Sequence, residues 1–266
     1  MAGRNQPEHF KDFDRPPRPS EGKGTMETSY AKLHLDPELN HSSGYFTSDT
    51  HSLEQAQRAK TDAILSHCRI EPSMKVLDVG CGWGATARAA TQRYGAHCIG
   101  ITLDEGQLAY ARQRDAETGG PRIDFRLSSW EEFSEPVDRI VCVNAFENFE
   151  DKRGFLPHCR TLLPVGGVMV MLTVTAERRM FRVTSKDEIV EFAQKAGFDV
   201  CTSGSLADDY ARTLELFVQN LNDNRSTLLS LVSERRLDWH LNYYSKSAEY
   251  LRSGLNDMFE FTFTAL

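Results

Sequence analysis

The fold is decided by KVLDVGCGWG, residues 75–84. Val76, Leu77 and Val79 form a short apolar run that stops at Gly80, the pattern of a buried strand. The next stretch, residues 85–94, is rich in Ala and Arg and favours helix. Gly95 stands where a helix end needs a left-handed residue. Between strand and helix lie Gly80, Gly82 and Gly84. Glycines there permit a tight turn and let a ligand approach bare backbone N–H groups. The spacing G-x-G-x-G departs from the dinucleotide pattern G-x-G-x-x-G, and no Lys-Ser/Thr of a P-loop follows. A phosphate is therefore not demanded. A nucleoside with a short charged tail suits the loop equally, with Asp78 near an ammonium or sulfonium end.

Working outward, HCIGIT (97–102) reads as a second strand and 105–117 as a helix broken by Gly119-Gly120-Pro121. Residues 122–127 and 139–143 read as strands three and four. A helix over 154–163 turns at Pro164 and Gly166-Gly167 into a fifth strand, 168–174. Ser185 and Glu188 have the spacing of a capping box. It opens a helix over 189–196, which Gly197 ends before a sixth strand at 198–202. Alternating strands and helices imply a parallel sheet covered on both faces.

The end differs. Residues 206–254 read as mostly helical, with Leu214, Phe217, Val218 and Leu221 at helical spacing. Residues 258–266 alternate Phe259, Phe261 and Phe263 against Glu260, Thr262 and Thr264, the pattern of a strand with one buried face. It is expected to close the sheet as an antiparallel edge. The fold class is thus α/β, doubly wound. One domain is expected over 25–266, with a helical cap over about 206–254 inserted before the last strand. Residues 1–24, rich in Pro, Gly and charge, read as a flexible arm.

Lys plus Arg number 31 against 38 Asp plus Glu, a net charge of −7, which argues against a protein built to grip nucleic acid. At 40% hydrophobic and 26% charged, the chain is too apolar for intrinsic disorder. Cysteines at 68, 81, 98, 142, 159 and 201 form no C-x-x-C pair, so no metal site is expected and the thiols read as reduced. Residues 1–24 hold no apolar run of a signal peptide, and no stretch has the roughly 18 apolar residues of a membrane span. A cytoplasmic location is the expectation. A homo-oligomer is compatible with this composition.

VLDVGCGWG resembles the first motif of S-adenosylmethionine-dependent methyltransferases. Its wording is similar to the cyclopropane-fatty-acid and mycolic-acid cyclopropane synthase family. GYF at 44–46, SLEQAQRAKTD at 52–62 and YGAHCIGITLDEGQLAYA at 94–111 match that family in order. So do SWEEFSEPVDRIVCVNAFENF at 129–149, SLADDYARTL at 205–214 and SAEYL at 247–251. The resemblance covers roughly residues 40–266. It implies a class I methyltransferase fold, a Rossmann-like, seven-stranded, mostly parallel sheet, with S-adenosylmethionine as cofactor. By position it places Asp78, Gly80, Gly82 and Gly84 in the cofactor loop. Thr102, Leu103 and Gln107 fall where the family binds ribose and methionine, and Trp130 and Glu131 where it holds adenine. His41 and Ser42 match a segment that closes over the cofactor. The residues themselves leave other readings open. Asp104 and Glu105 suit a first helical turn, Trp130 a core aromatic, and Gly84 helix packing alone.

Phe146-Glu147-Asn148-Phe149 follows the fourth strand, whose end borders the ligand crevice of an α/β sheet. A carboxylate between two aromatics is partly desolvated, which raises its pKa and suits it to basic work. The family carries a Glu in the matching Phe-Glu-x-Phe motif, and Glu147 is assigned as the catalytic base or cation stabiliser. Tyr210 matches a family tyrosine beside the reacting centre. The plainer readings are a loop glutamate and a core tyrosine. The family also holds a bicarbonate ion as base, with a His on the fifth strand among its ligands. Here that His falls on Leu172, the family's two site cysteines on Ser43 and Ser247, and the His after the motif Glu on Asn148. Bicarbonate is thus a questioned cofactor. Between the fifth strand and the next helix the family has a long insertion, and here only 176–184 (AERRMFRVT). Its Arg178, Arg179 and Arg182 read as solvated or as contacts for an anionic acceptor. The expected activity is C-methylation of an apolar or olefinic small molecule via a carbocation. Cyclopropane formation on an unsaturated acyl chain, N-methylation of a small amine and non-catalytic cofactor binding are the alternatives, so the expected partner is a small-molecule or acyl substrate.

Overall fold

A computed structural model describes residues 28–120, 123–176 and 183–266. The expected arm at 1–24, the start of the third strand at Arg122, and Arg178, Arg179 and Arg182 lie outside the described residues. Helix α1 (Leu53–His67) begins on a capping box of Ser52 and Gln55 and runs past the expected 52–62. Then follow β1 (Lys75–Val79), α2 (Ala85–Tyr94), β2 (His97–Thr102), α3 (Glu105–Thr118), β3 (Asp124–Leu127) and β4 (Arg139–Val143). After a 3-10 turn at Phe146–Asn148 come α4 (Lys152–Leu162), β5 (Val168–Ala176), α5 (Lys186–Lys195) and β6 (Phe198–Thr202). Three helices, α6 (Ala207–Asp223), α7 (Arg225–Leu231) and α8 (Glu234–Arg252), lead to β7 (Asn256–Ala265). The Ser185–Glu188 capping box forms as expected and starts α5.

The seven strands lie in the order β3-β2-β1-β4-β5-β7-β6. β1 pairs in parallel with β2 on one side and β4 on the other. The chain order reverses at that point, and the crevice outside the carboxyl ends of β1 and β4 is where such sheets bind ligands.

The last strand is not the edge. β7 lies between β5 and β6 and is antiparallel to both. The reason is burial. Phe261 and Phe263 are fully buried on one face, and Met258 and Glu260 are buried on the other. A strand buried on both faces needs a neighbour on each side, whereas β6 alternates buried and open positions and suits an edge. The alternation of Phe with polar residues hid this, because Glu260 reads as solvent-facing. In the fold Tyr45 Oη donates to Glu260 Oε2 at 2.8 Å, and His67 Nδ1 lies 2.5 Å from Oε1, so the carboxylate is satisfied inside.

One face of the sheet packs Leu77, Ile140, Met169, Met171 and Phe263 against Phe155 and Ile189 of α4 and α5. The other packs Val76, Val141, Val170 and Leu172 beneath Ile64 and Leu65 of α1. A third core joins α6–α8 to residues 30–39 through Tyr30, Leu35, Phe217, Leu237 and Tyr244. This third core sets residues 39–42 above the crevice. Among the described residues no helix is long and apolar enough to cross a membrane.

Candidate functional site

The glycine loop adopts the conformation its sequence requires. Gly80 and Gly82 have φ of +73° and +55°, which side chains rarely adopt. A Cβ on Gly80 would lie 2.5 Å from the Cβ of Ala145, while one on Gly82 would project into open space. A cavity of about 760 Å3 opens there, of the size that holds a cofactor. His41, Ser42, Asp78, Gly80, Gly82, Thr102, Leu103, Gln107, Trp130 and Glu131 all line it. Gly84 does not. It caps α2 at φ +86°, and a Cβ there would come within 2.6 Å of the Phe125 ring, so helix packing already requires glycine there.

Each lining residue has a local reason for its place. Thr102 ends β2 and donates to Gln107 Oε1 at 3.1 Å, fixing the side chain. Asp104 is the N-cap of α3, accepting from Gln107 N at 2.7 Å, so its role is the helix turn. Trp130 serves two ends. It lines the cavity and packs edge-on against Phe155 and His158. His41 is open to the cavity, and its Nε2 lies 2.9 Å from Tyr244 Oη, which also lies 3.2 Å from His34 Nε2.

The electrostatics turn on Asp78. It is buried, and its Oδ2 has no hydrogen-bond partner. Burial pushes its carboxyl up to about 7, against the charge of Lys60 and the Ala87 N–H. A buried acceptor without a donor costs stability unless a ligand supplies one. The α-ammonium of S-adenosylmethionine is such a donor, and the open backbone at Gly82 leaves room beside it. The residues therefore fit this cofactor.

Glu147 lies beyond the wall formed by Asn144, Ala145, Asn148 and Phe149. Asn144 Nδ2 donates to its Oε1 at 3.0 Å and Thr173 Oγ1 to its Oε2 at 3.0 Å. Burial raises the Glu147 pKa, and these two donors oppose the rise. Tyr210 on α6 and Tyr243 on α8 are near enough to feel its charge. Burial is the main cause that raises both phenols, and the charge of Glu147 adds to it. Leu172 is fully buried on the face of the sheet opposite Thr173 and has no group to offer an anion.

Sequence reasoning missed Lys60, Asn144, Thr173 and Tyr243. Lys60 sits in a helix motif that matched the family, but a lysine there reads as solvated. Asn144 has φ +49°, a conformation Asn tolerates better than most residues. Its position just past a strand, three residues before Glu147, was the available signal.

A family model described as mycolic acid cyclopropane synthetase matches residues 26–183 and 180–261. Cyclopropane mycolic acid synthase 3 of Mycobacterium tuberculosis is 33% identical over 267 residues, spanning 89% of this chain and 93% of that protein. The S-adenosylmethionine-dependent methyltransferase UmaA of the same organism is 32% identical over 269 residues, spanning 90% and 94%. The crystal structure of mycolic acid cyclopropane synthase CmaA1 complexed with SAH and CTAB aligns with a TM-score of 0.85 at 33% identity, covering 90% of this chain and 95% of that one. The chain belongs to the mycolic acid cyclopropane synthetase family and is an S-adenosylmethionine-dependent methyltransferase with that family's fold.

Proposed function

We propose that the enzyme methylates carbon on an apolar, olefinic small molecule or acyl chain, with Glu147 as the base. The observation that carries this reading is the Glu147 carboxylate, fixed by Asn144 and Thr173 beside the cofactor cavity, with two tyrosines near enough to feel its charge. The bound cofactor supplies an electrophilic methyl group on a sulfonium. Asp78 holds its ammonium end, and the wall at Asn144 and Ala145 orients the acceptor for in-line attack. With an alkene as acceptor, its π electrons would take up that methyl group, and the sulfur would keep the electron pair of the bond that breaks. Tyr210 and Tyr243, both near the charge of Glu147, are the aromatic groups that stabilise the carbocation left on the acceptor. Glu147 Oε then takes a proton from the acceptor. The C–H electrons form the double bond of a methylated alkene, or the third bond of a cyclopropane when the proton comes from the transferred methyl. Helices α6 and α8, which carry the tyrosines, act as the cap over the acceptor.

An anion at the bicarbonate position would lack a donor from Leu172, and a poorly paired anion in a dry site is costly. The residues do not fit that ion, and no step is assigned to it. The same Glu147 and tyrosine group also suits an ammonium, which keeps N-methylation as the second reading. Cofactor bearing a CD3 group, supplied with panels of olefins, unsaturated fatty acids and amines, separates the outcomes. A C-methylated alkene retains CD3 on carbon, and a cyclopropane retains CD2. A product with CD3 on nitrogen and no new carbon–carbon bond would refute the alkene reading.

A further inference from the structure

Lys60 leaves the middle of α1 and ends inside the cofactor cavity with 1% of its surface exposed. Lysines are almost never so buried unless their ammonium is paired. Here the amine donates to two neutral oxygens, Asn40 Oδ1 at 3.0 Å and Ser42 Oγ at 3.1 Å. Asn40 is itself fixed, because its backbone N and Nδ2 both donate to the carboxylate of Asp36, at 2.6 and 3.0 Å. The Ser42 backbone is fixed as well, its carbonyl accepting from Gln57 Nε2 at 2.6 Å. Asp36 and Asp78 are near enough to support the positive charge of Lys60 against burial.

This arrangement has a consequence for Ser42. A serine hydroxyl carries one proton. With Oγ accepting from Lys60, that proton must go to another acceptor, and among the described residues no protein acceptor takes it. Ser42 lines the cavity. Among the described lining residues the cavity thus sets a buried lysine, Lys60, near a buried carboxyl with an unpaired oxygen, Asp78. An amino acid zwitterion matches that pair.

We propose that Lys60 is a positioning residue for the amino-acid end of the cofactor, turning the Ser42 hydroxyl into a donor for its carboxylate while Asp78 takes its ammonium. The proposal rests on the reading of this cavity as the cofactor site. Lys60 acts through Ser42 and lends its charge from behind, so its effect is confined to ligands that carry a carboxylate.

Calorimetry with two ligands tests it. S-adenosylhomocysteine has the amino-acid end, and 5′-methylthioadenosine has the same nucleoside and thioether without it. In Lys60→Met, affinity for S-adenosylhomocysteine is expected to fall about tenfold to hundredfold, the span of a lost charge-assisted hydrogen bond. Affinity for 5′-methylthioadenosine should stay within about twofold of wild type, because neither ligand group near Lys60 is present. Lys60→Gln, which keeps a donor without the charge, should show the same selectivity and serves if the Met variant does not fold. Ser42→Ala combined with Lys60→Met should lose little more than either alone, as expected for two residues acting as one. Equal losses for both ligands, additive losses in the double variant, or unchanged binding of S-adenosylhomocysteine would each overturn the proposal. Failure of wild type to bind either ligand would instead overturn the cavity reading.

Discussion

Asn144→Gly removes a donor from the proposed base, together with the long 3.4 Å contact that Ser43 N makes to Asn144 Oδ1. Asn144 stands at φ +49°, where glycine is at ease, so the backbone has no reason to move. Relief of left-handed strain, about 1 kcal/mol, is set against the extra entropy a glycine loses on folding, about 0.5–1 kcal/mol. Stability should therefore change by less than about 1 kcal/mol, or roughly 3 °C in thermal midpoint for a chain of this size. The variant deletes the Nδ2 donor that lies 3.0 Å from Glu147 Oε1. A hydrogen bond to a charged group contributes about 1.5–3 kcal/mol. At about 1.36 kcal/mol per pKa unit, the Glu147 carboxyl should rise by about one to two units above its already elevated position. A 13C NMR titration of labelled glutamate, with the resonance assigned by Glu147→Gln, reads this without an acceptor. In turnover the acid limb should move to higher pH by the same amount. An unmoved titration would show that Asn144 does not tune Glu147. A thermal midpoint lowered by more than about 6 °C would show that the strain argument is wrong.

Gly82→Val should abolish cofactor binding, since a side chain there enters the cavity and the backbone sits at φ +55°; wild-type affinity by calorimetry would remove the loop from the site. Glu147→Gln should leave cofactor affinity nearly intact and cut turnover about 10²–10⁴-fold. Because folding raises the Glu147 pKa, its carboxyl favours the folded state below the unfolded value near 4.5 and loses that contribution as pH rises through the folded value. The Gln variant should therefore gain stability relative to wild type between acid and neutral pH, and parallel melting curves would contradict this. Burial and the neighbouring His41 and His240 lower His34 to about 3, which reverses the sign. Its contribution is full above 6.5 and is lost as pH falls toward 3. His34→Phe, packed among Tyr30, Phe217 and Tyr244 with Arg236 and His240 nearby, should cost about 1 kcal/mol at pH 8 through its lost hydrogen bonds. The gap in thermal midpoint should close by pH 4, and a constant gap would refute the assignment.

The parts of this fold that are legible in sequence are those specified locally. VLDVG followed by Ala-rich helix fixes β1, the glycine turn and α2, because strand propensity, turn chemistry and helix capping agree within twenty residues. The place of β7 is not local. An antiparallel strand reaches its slot between β5 and β6 through contacts far apart in sequence, and Glu260 hid its second buried face by having partners in Tyr45 and His67. Gly84 reads like its two neighbours, and only the Phe125 ring beside it separates packing from binding. Lys60 and Thr173 escaped for a related reason. A lysine on a helix and a threonine in a strand acquire meaning from what the tertiary fold sets opposite them, here Ser42 and Glu147.

The slot of β7 also bears on biosynthesis. Among the described residues β6 pairs with no strand except β7, and roughly 50 residues separate them, about 3–10 seconds of translation at ordinary rates. Throughout that interval β5 presents an open edge, and β6 lacks its partner, at the place another chain's strand would fit. The cofactor half of the sheet is complete by then, since β1–β4 and β5 are already made. Nascent chains stalled within α6–α8 should thus combine a formed nucleotide crevice with an adhesive edge. A chaperone's time of greatest use to this protein is while those three helices emerge.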